Sequence, residues 1–187
     1  MLGLFLRIIN VCRLGDKLII NGYLGDHGAA ILAARGELMV ETDIQSDCAA
    51  LNDLIQKMLA VAPNIRAMRD VTRGGLASVL NEYADGASVA MQIEESLLPI
   101  REEVKGFCEV LGLDPLYLAN EGKLLAVVPA DEVSAVLSAM RSHPDGQQAC
   151  VIGEVVSAGL AKVVMQSAFG GKRSVDRLVG DQLPRSC

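Results

Sequence analysis

Tryptophan is absent from this 187-residue chain, and aromatic residues of all kinds make up only 3% of it. A core built on ring packing is thereby excluded, and Ala, Val, Leu, Ile and Met must fill the interior. Basic charge is also short: 17 Lys and Arg stand against 23 Asp and Glu, for a net charge of −6. A nucleic-acid binder normally shows a basic face, so that class is disfavoured. The five cysteines, Cys12, Cys48, Cys108, Cys150 and Cys187, are odd in number and widely spaced, with no Cys-x-x-Cys pair. That pattern argues against a disulfide framework and against a zinc knuckle, so no metal site is read. No apolar run reaches the roughly 18 residues of a membrane span. The apolar opening, residues 1–12, lacks the basic start and small-residue cleavage site of a signal peptide. The chain reads as cytoplasmic, without nucleic-acid or membrane partners.

What is present is a good core former. Hydrophobic residues make up 51% of the chain, and a length of this order makes one domain with appendages. Short β-branched runs at 17–23, 65–69, 88–93 and 123–128 read as strands. Helical stretches read at 29–35, 49–61, 76–83, 100–111 and 132–141, with Ser46, Asp47 and Asp131 as cap candidates. Residues 150–156 and 160–166 look like a β-hairpin across Ser157-Ala158-Gly159. Strands and helices alternate, which predicts an α/β or α+β domain, a mixed sheet with flanking helices. The expected division is an irregular apolar start at 1–13, the domain at 14–167, and a flexible tail at 168–187. Residues 1–13 look like the edge of something that continues upstream. Cys48, Cys108 and Cys150 are expected as buried small hydrophobes. Cys187 ends the chain, where a thiol on a tether suits carrying a group between two places; that the reading frame merely stops there accounts for it as well.

Three constellations are candidates for chemistry. In Asp70-Val71-Thr72-Arg73-Gly74-Gly75 a strand ends on a carboxylate and a glycine pair opens a helix. Glycines let backbone approach an anion, and the amides of a first helical turn point at it. Thr72 and Arg73 add a hydroxyl and a guanidinium, and Asp70 suits orienting a metal or a ligand hydroxyl. A plain strand–helix turn capped by Asp70 and Thr72 accounts for the same residues. In Asn120-Glu121-Gly122-Lys123, a carboxylate just before a buried strand suits a general base if it is partly desolvated. A water-facing turn is the other reading. In Gly25-Asp26-His27-Gly28, either an Asp–His pair does acid–base work or Asp26 caps the next helix.

Taken together, Gly-Asp-His-Gly, Asp-Val-Thr-Arg-Gly-Gly-Leu, Ala-Asn-Glu-Gly-Lys and the terminal Leu-Pro-Arg-x-Cys resemble a known family. They are similar to the C-terminal half of HypE, the hydrogenase expression/formation family. Its relatives are aminoimidazole ribonucleotide synthetase and selenophosphate synthetase. The resemblance covers about residues 14–187. Ser186 departs from the pattern, which has an apolar residue there, usually Ile. The family's N-terminal half, which binds most of the ATP and forms the dimer, has no counterpart in this sequence, nor do a lysine and a histidine thought to assist the chemistry.

The resemblance implies an ATP-dependent carbamoyl dehydratase of nickel–iron hydrogenase maturation. Cys187 would receive a carbamoyl group from a partner carbamoyltransferase. Dehydration would leave a thiocyanate, and the cyano group would pass to iron in a scaffold maturation complex. Glu121 matches the position of the base, and Asp70, Thr72, Arg73, Gly74 and Gly75 match nucleotide contacts. ATP with magnesium is the implied cofactor, held mostly by the half not found here, so the chain alone is expected to be inactive. The full-length family implies a homodimer. Two other readings stand beside this one: a non-catalytic C-terminal module, and a selenophosphate synthetase-like enzyme.

Overall fold

The computed structural model of the chain describes residues 12–35 and 44–177. Seven strands form one mixed sheet in the order β2-β4-β1-β5-β3-β6-β7. They are β1 (Lys17–Ile20), β2 (Ala67–Asp70), β3 (Val89–Glu94), β4 (Leu124–Val128), β5 (Cys150–Ala158), β6 (Lys162–Gln166) and β7 (Lys172–Ser174). Among the described residues five α-helices accompany them: α1 (Asp26–Ala34), α2 (Asn52–Val61), α3 (Gly75–Ala87), α4 (Glu102–Leu111) and α5 (Val133–Arg141). The α/β reading of the sequence therefore holds.

The period of two along each strand sorts the core into layers. Leu18, Ile20, Leu125 and Val127 face α3 residues such as Leu76 and Leu80. Ile19, Leu124, Ala126 and Val128 face Leu54 and Met58 of α2 and Val136 and Met140 of α5. All five residues of β4 are buried, as expected of a strand covered on both sides. A third cluster joins α1 to α4 through Ala29, Leu32, Val104 and Phe107.

Four expectations are corrected. β5 and β6 are not a hairpin, because β3 lies between them, antiparallel to β5 and parallel to β6. The short link crosses the start of β3, where the Gly159 amide donates to Ser88 O at 2.7 Å. β1 stops at Ile20, three residues early, because the Asn21 side chain takes over the hydrogen bonding. The stretch from residue 168 opens not as free tail but as β7 on the edge of β6. Val175 is buried there, and Asn81 Nδ2 donates to its carbonyl. Finally, neither Ser46, Asp47 nor Asp131 caps a helix: α2 starts at Asn52 and α5 follows Glu132, each without a side-chain cap.

Candidate functional site

Asn120 brings the three constellations into one place. It is 1% exposed, so its amide must find partners inside the protein. Its Oδ1 accepts from the Gly25 amide at 2.8 Å. Its Nδ2 donates to Val71 O at 3.0 Å and to Leu118 O at 3.1 Å. Backbone bonds close the joint: Asn120 N donates to Val71 O, and Val71 N to Lys123 O at 2.9 Å. The 25–28 turn, the 70–75 loop and the 120–123 turn are thereby one unit, which places the Glu121 turn beside the Asp70 loop.

Asn21, also 1% exposed, holds the far side of the 120–123 turn. Its Nδ2 donates to Gly122 O and to Asp145 O, and its Oδ1 accepts from Leu124 N. Gly122 has no room for a side chain, since a Cβ there would fall 1.9 Å from Asp47 O. Asp47 Oδ1 accepts from the Glu121 amide at 3.1 Å. Lys123 Nζ lies 2.8 Å from Asp47 Oδ2, with the two side chains only 12% and 5% exposed. That contact is Coulombic, because it lacks hydrogen-bond geometry. The roles of Asn21, Asn120 and Asp47 were not read from the sequence. The available signal was an asparagine bordering each of two apolar strands, where a polar side chain has to be satisfied internally.

No Asp–His pair forms at the 25–28 turn. Asp26 pairs instead with Arg101, Nε to Oδ2 at 3.1 Å, and the Arg101 guanidinium sits 4.1 Å above the Tyr23 ring. Burial pushes the Asp26 carboxyl above its usual range, and Arg101 pulls it partly back. Asp26 does not cap α1, whose N-cap is Gly25 in the left-handed region. His27 Nδ1 shares a hydrogen bond with Ser46 Oγ at 2.8 Å. Between these groups opens a cavity of about 620 Å³, whose wall includes Asn21, Asp26, Asp47, Cys48, Arg101 and Lys123.

In the 70–75 loop, Asp70 and Arg73 are exposed and Thr72 is partly buried. Gly74 and Gly75 both take positive φ, 74° and 62°. A Cβ on Gly75 would lie 2.4 Å from Leu116 O, so the glycine lets α3 begin hard against the 116–118 backbone. The Gly75 amide donates to Thr72 O. Close packing therefore accounts for the glycine pair, and Thr72 and Arg73 are the loop's remaining side chains with polar donors. Glu121 is exposed, so the partial desolvation expected of it is absent. Cys187 lies outside the described residues. Cys108 is buried and Cys150 partly so, but Cys48 is exposed, contrary to expectation. Among the described residues no group of three or more His, Cys, Asp or Glu is placed to hold a metal, and no helix is long and apolar enough to cross a membrane.

Residues 13–166 match the family model for the AIR synthase related protein, C-terminal domain. Carbamoyl dehydratase HypE of Rhodobacter capsulatus is 59% identical over 175 residues, which cover 94% of this chain and 52% of that protein. A crystal structure of hydrogenase maturation protein HypE in complex with ATP superposes with a TM-score of 0.89 at 42% identity, covering 96% of this chain and 55% of that one. A crystal structure of a HypE–HypF complex gives 0.86 at 43% identity, covering 91% and 55%. The chain spans about half the length of the curated relatives it matches.

Proposed function

Because this chain belongs to the AIR synthase related family and matches the C-terminal part of HypE, we propose that it carries the acceptor-thiol half of an ATP-dependent carbamoyl dehydratase in nickel–iron hydrogenase maturation. Cys187 takes a carbamoyl group from a carbamoyltransferase, as a thiocarbamate. ATP, when bound with magnesium, supplies a phosphoryl group that makes the amide oxygen a leaving group. One N–H proton is lost as the oxygen is phosphorylated, and Glu121 takes the second as the C–O bond breaks and inorganic phosphate departs, which leaves S–C≡N on Cys187. The cyano group then passes to iron on a scaffold complex. Thr72 and Arg73 would steady the phosphates when nucleotide is bound, and Asp70 would orient a magnesium ion carried with it. Gly74 and Gly75 act indirectly, by seating the loop against the 116–118 backbone.

The observation that carries this reading is the Asn120 junction. It ties the turn bearing Glu121 to the loop bearing Asp70, Thr72 and Arg73 through Val71. A base and anion-binding donors are thus held on one rigid unit. Exposure of Glu121 suits a base that meets its substrate only when the tail docks.

The test is Glu121→Gln in a full-length HypE-type protein that carries this sequence as its C-terminal half. Carbamoylation at Cys187 should persist, and dehydration should slow by about 10² to 10⁴. Mass spectrometry of the C-terminal peptide separates the two, since dehydration removes one water. Thiocyanate at the unaltered rate would take Glu121 out of the mechanism. This chain alone, with few anion donors of its own, should bind ATP no tighter than about millimolar. Micromolar binding in calorimetry would overturn that division of labour between the halves.

A further inference from the structure

The described cysteines fall into two kinds. Cys12 and Cys108 are held in apolar surroundings, where burial pushes both thiols up to about 11. Burial pushes Cys150 up as well, against the pull of Arg141. Cys48 is different: it is exposed, and its Sγ lies 3.1 Å from Ser46 Oγ. Ser46 Oγ in turn lies 2.8 Å from His27 Nδ1, and Cys48 Sγ itself is 4.0 Å from that nitrogen. A thiol, a hydroxyl and an imidazole thus stand in a chain able to move a proton. With its own proton on Nε2, His27 accepts through Nδ1 what Cys48 gives up through Ser46.

The cavity supplies the second observation. Cys48 and Ser46 line it together with Asp26. Asp26 is 6% exposed, and while its Oδ2 meets Arg101, its Oδ1 is buried without a hydrogen-bond partner. A buried carboxylate oxygen in that state calls for an ordered water or a donor on a bound molecule. The wall carries three carboxylates, Asp26, Asp47 and Asp145, against two cations, Arg101 and Lys123. The surplus is negative, so the cavity favours a cationic donor over an anionic one.

We propose that Cys48 is a thiol-exchange site for a small disulfide that carries an ammonium group near its sulfur. The Cys48 thiolate attacks one sulfur of that disulfide. A new S–S bond forms to Cys48, and the original S–S bond breaks. The departing thiolate takes the proton that Cys48 passed through Ser46 to His27. Cys48 is oxidised to the mixed disulfide and the second half of the reagent is reduced to a thiol, so no other oxidant enters. The ammonium of the bound half is drawn toward the Asp26 side of the wall by its surplus negative charge, and the adduct occupies the cavity behind the 120–123 turn. This assignment does not depend on the dehydratase reading.

The test uses the reduced chain with cystamine as the cationic probe and dithiodiglycolate as its anionic counterpart. Salt is kept near 0.5 M to screen exposed charge. Peptide mapping should find the cystamine adduct on Cys48 well before Cys12, Cys108 or Cys150. Cystamine should outpace dithiodiglycolate there by about tenfold or more, and Asp26→Asn should shrink that preference. Ser46→Ala should slow labelling of Cys48 by about tenfold, through loss of the proton path to His27. Equal rates for the two probes, labelling of Cys150 as fast as Cys48, or an unchanged rate in Ser46→Ala would each overturn the proposal. Ser46 is exposed, so its variant leaves the core alone and decides the matter even if Asp26→Asn does not fold.

Discussion

The 120–123 turn and the 70–75 loop lie side by side, yet they are held by different means. The turn is fixed by buried amide side chains: Asn120 and Asn21 between them make six hydrogen bonds to the backbone around it. The loop is fixed by shape, through two glycines whose missing side chains let neighbouring atoms approach. In both, the charged residues that catch the eye, Glu121, Asp70 and Arg73, are exposed. The residues that set their positions are mostly uncharged, Asp47 beneath the Glu121 amide being the exception. Each candidate motif here is thus a short solvent-facing edge on a tightly determined base, and the two can be perturbed separately.

Asn120→Ala should do the most damage, because it breaks the junction itself. It strands the Gly25 amide and removes donors from Val71 O and Leu118 O. Each buried group left without a partner costs about 1–3 kcal/mol. A loss of about 4 kcal/mol, read from urea unfolding, is expected. A loss below about 1 kcal/mol would show that the three motifs are held together by packing rather than by this amide.

Alanine at the tightest glycines sharpens the contrast. At Gly122 the new Cβ would meet the Asp47 carbonyl oxygen at 1.9 Å, which is backbone and must move as a unit. At Gly74 it would meet Ser78 Oγ at 2.1 Å, a hydroxyl on a rotatable side chain. Gly122→Ala should therefore cost about 3 kcal/mol and Gly74→Ala nearer 1.5, the latter mostly from its positive φ. Equal losses in the two variants would mean that the turn yields as readily as the loop.

How much of this was legible follows from the same division. Residues 124–128 and 17–20 announce themselves as strands by apolar content, and both are central in the sheet. α4 ends at Leu111, where the helical stretch 100–111 reads to its end, because Gly112 takes the left-handed region. Long-range pairing was not legible. Residues 150–166 look like a hairpin because local pattern carries no record of a third strand, and β3 enters between them from 60 residues earlier in the chain. The candidate site divides likewise. Its motifs were visible as strings, but Asp26 was read against its neighbour His27 when its partner is Arg101, far along the chain. Cys48 reads as buried from the apolar Ala49-Ala50-Leu51 run that follows it, though it lies exposed beside a cavity. Side-chain hydrogen bonds across 49 to 124 residues leave no periodic trace.

The smallest expected effect concerns Asp26, which belongs to the same junction but is charged. Its carboxyl lies above the ordinary 3.8 because burial disfavours the anion, while Arg101, and more weakly Lys123, oppose that rise and Asp47 adds to it. Below the ordinary value the group is protonated in both folded and unfolded chains, and the protonated form contributes its full stability. As pH rises, the unfolded chain releases its proton first, so the contribution falls and is gone once pH passes the raised folded value. Asp26→Asn cannot titrate, so the stability of the wild type minus that of the variant should decline with rising pH across this window and then level off. The decline should be shallow, because burial and Arg101 pull in opposite directions. Arg101→Met removes the main opposing pull, so in that background the same subtraction should fall more steeply and over a wider range. Urea melts at a series of acidic pH values measure both. A difference that stays flat in both backgrounds would show that Asp26 meets solvent freely, and that the cavity beside it does not isolate its carboxylate.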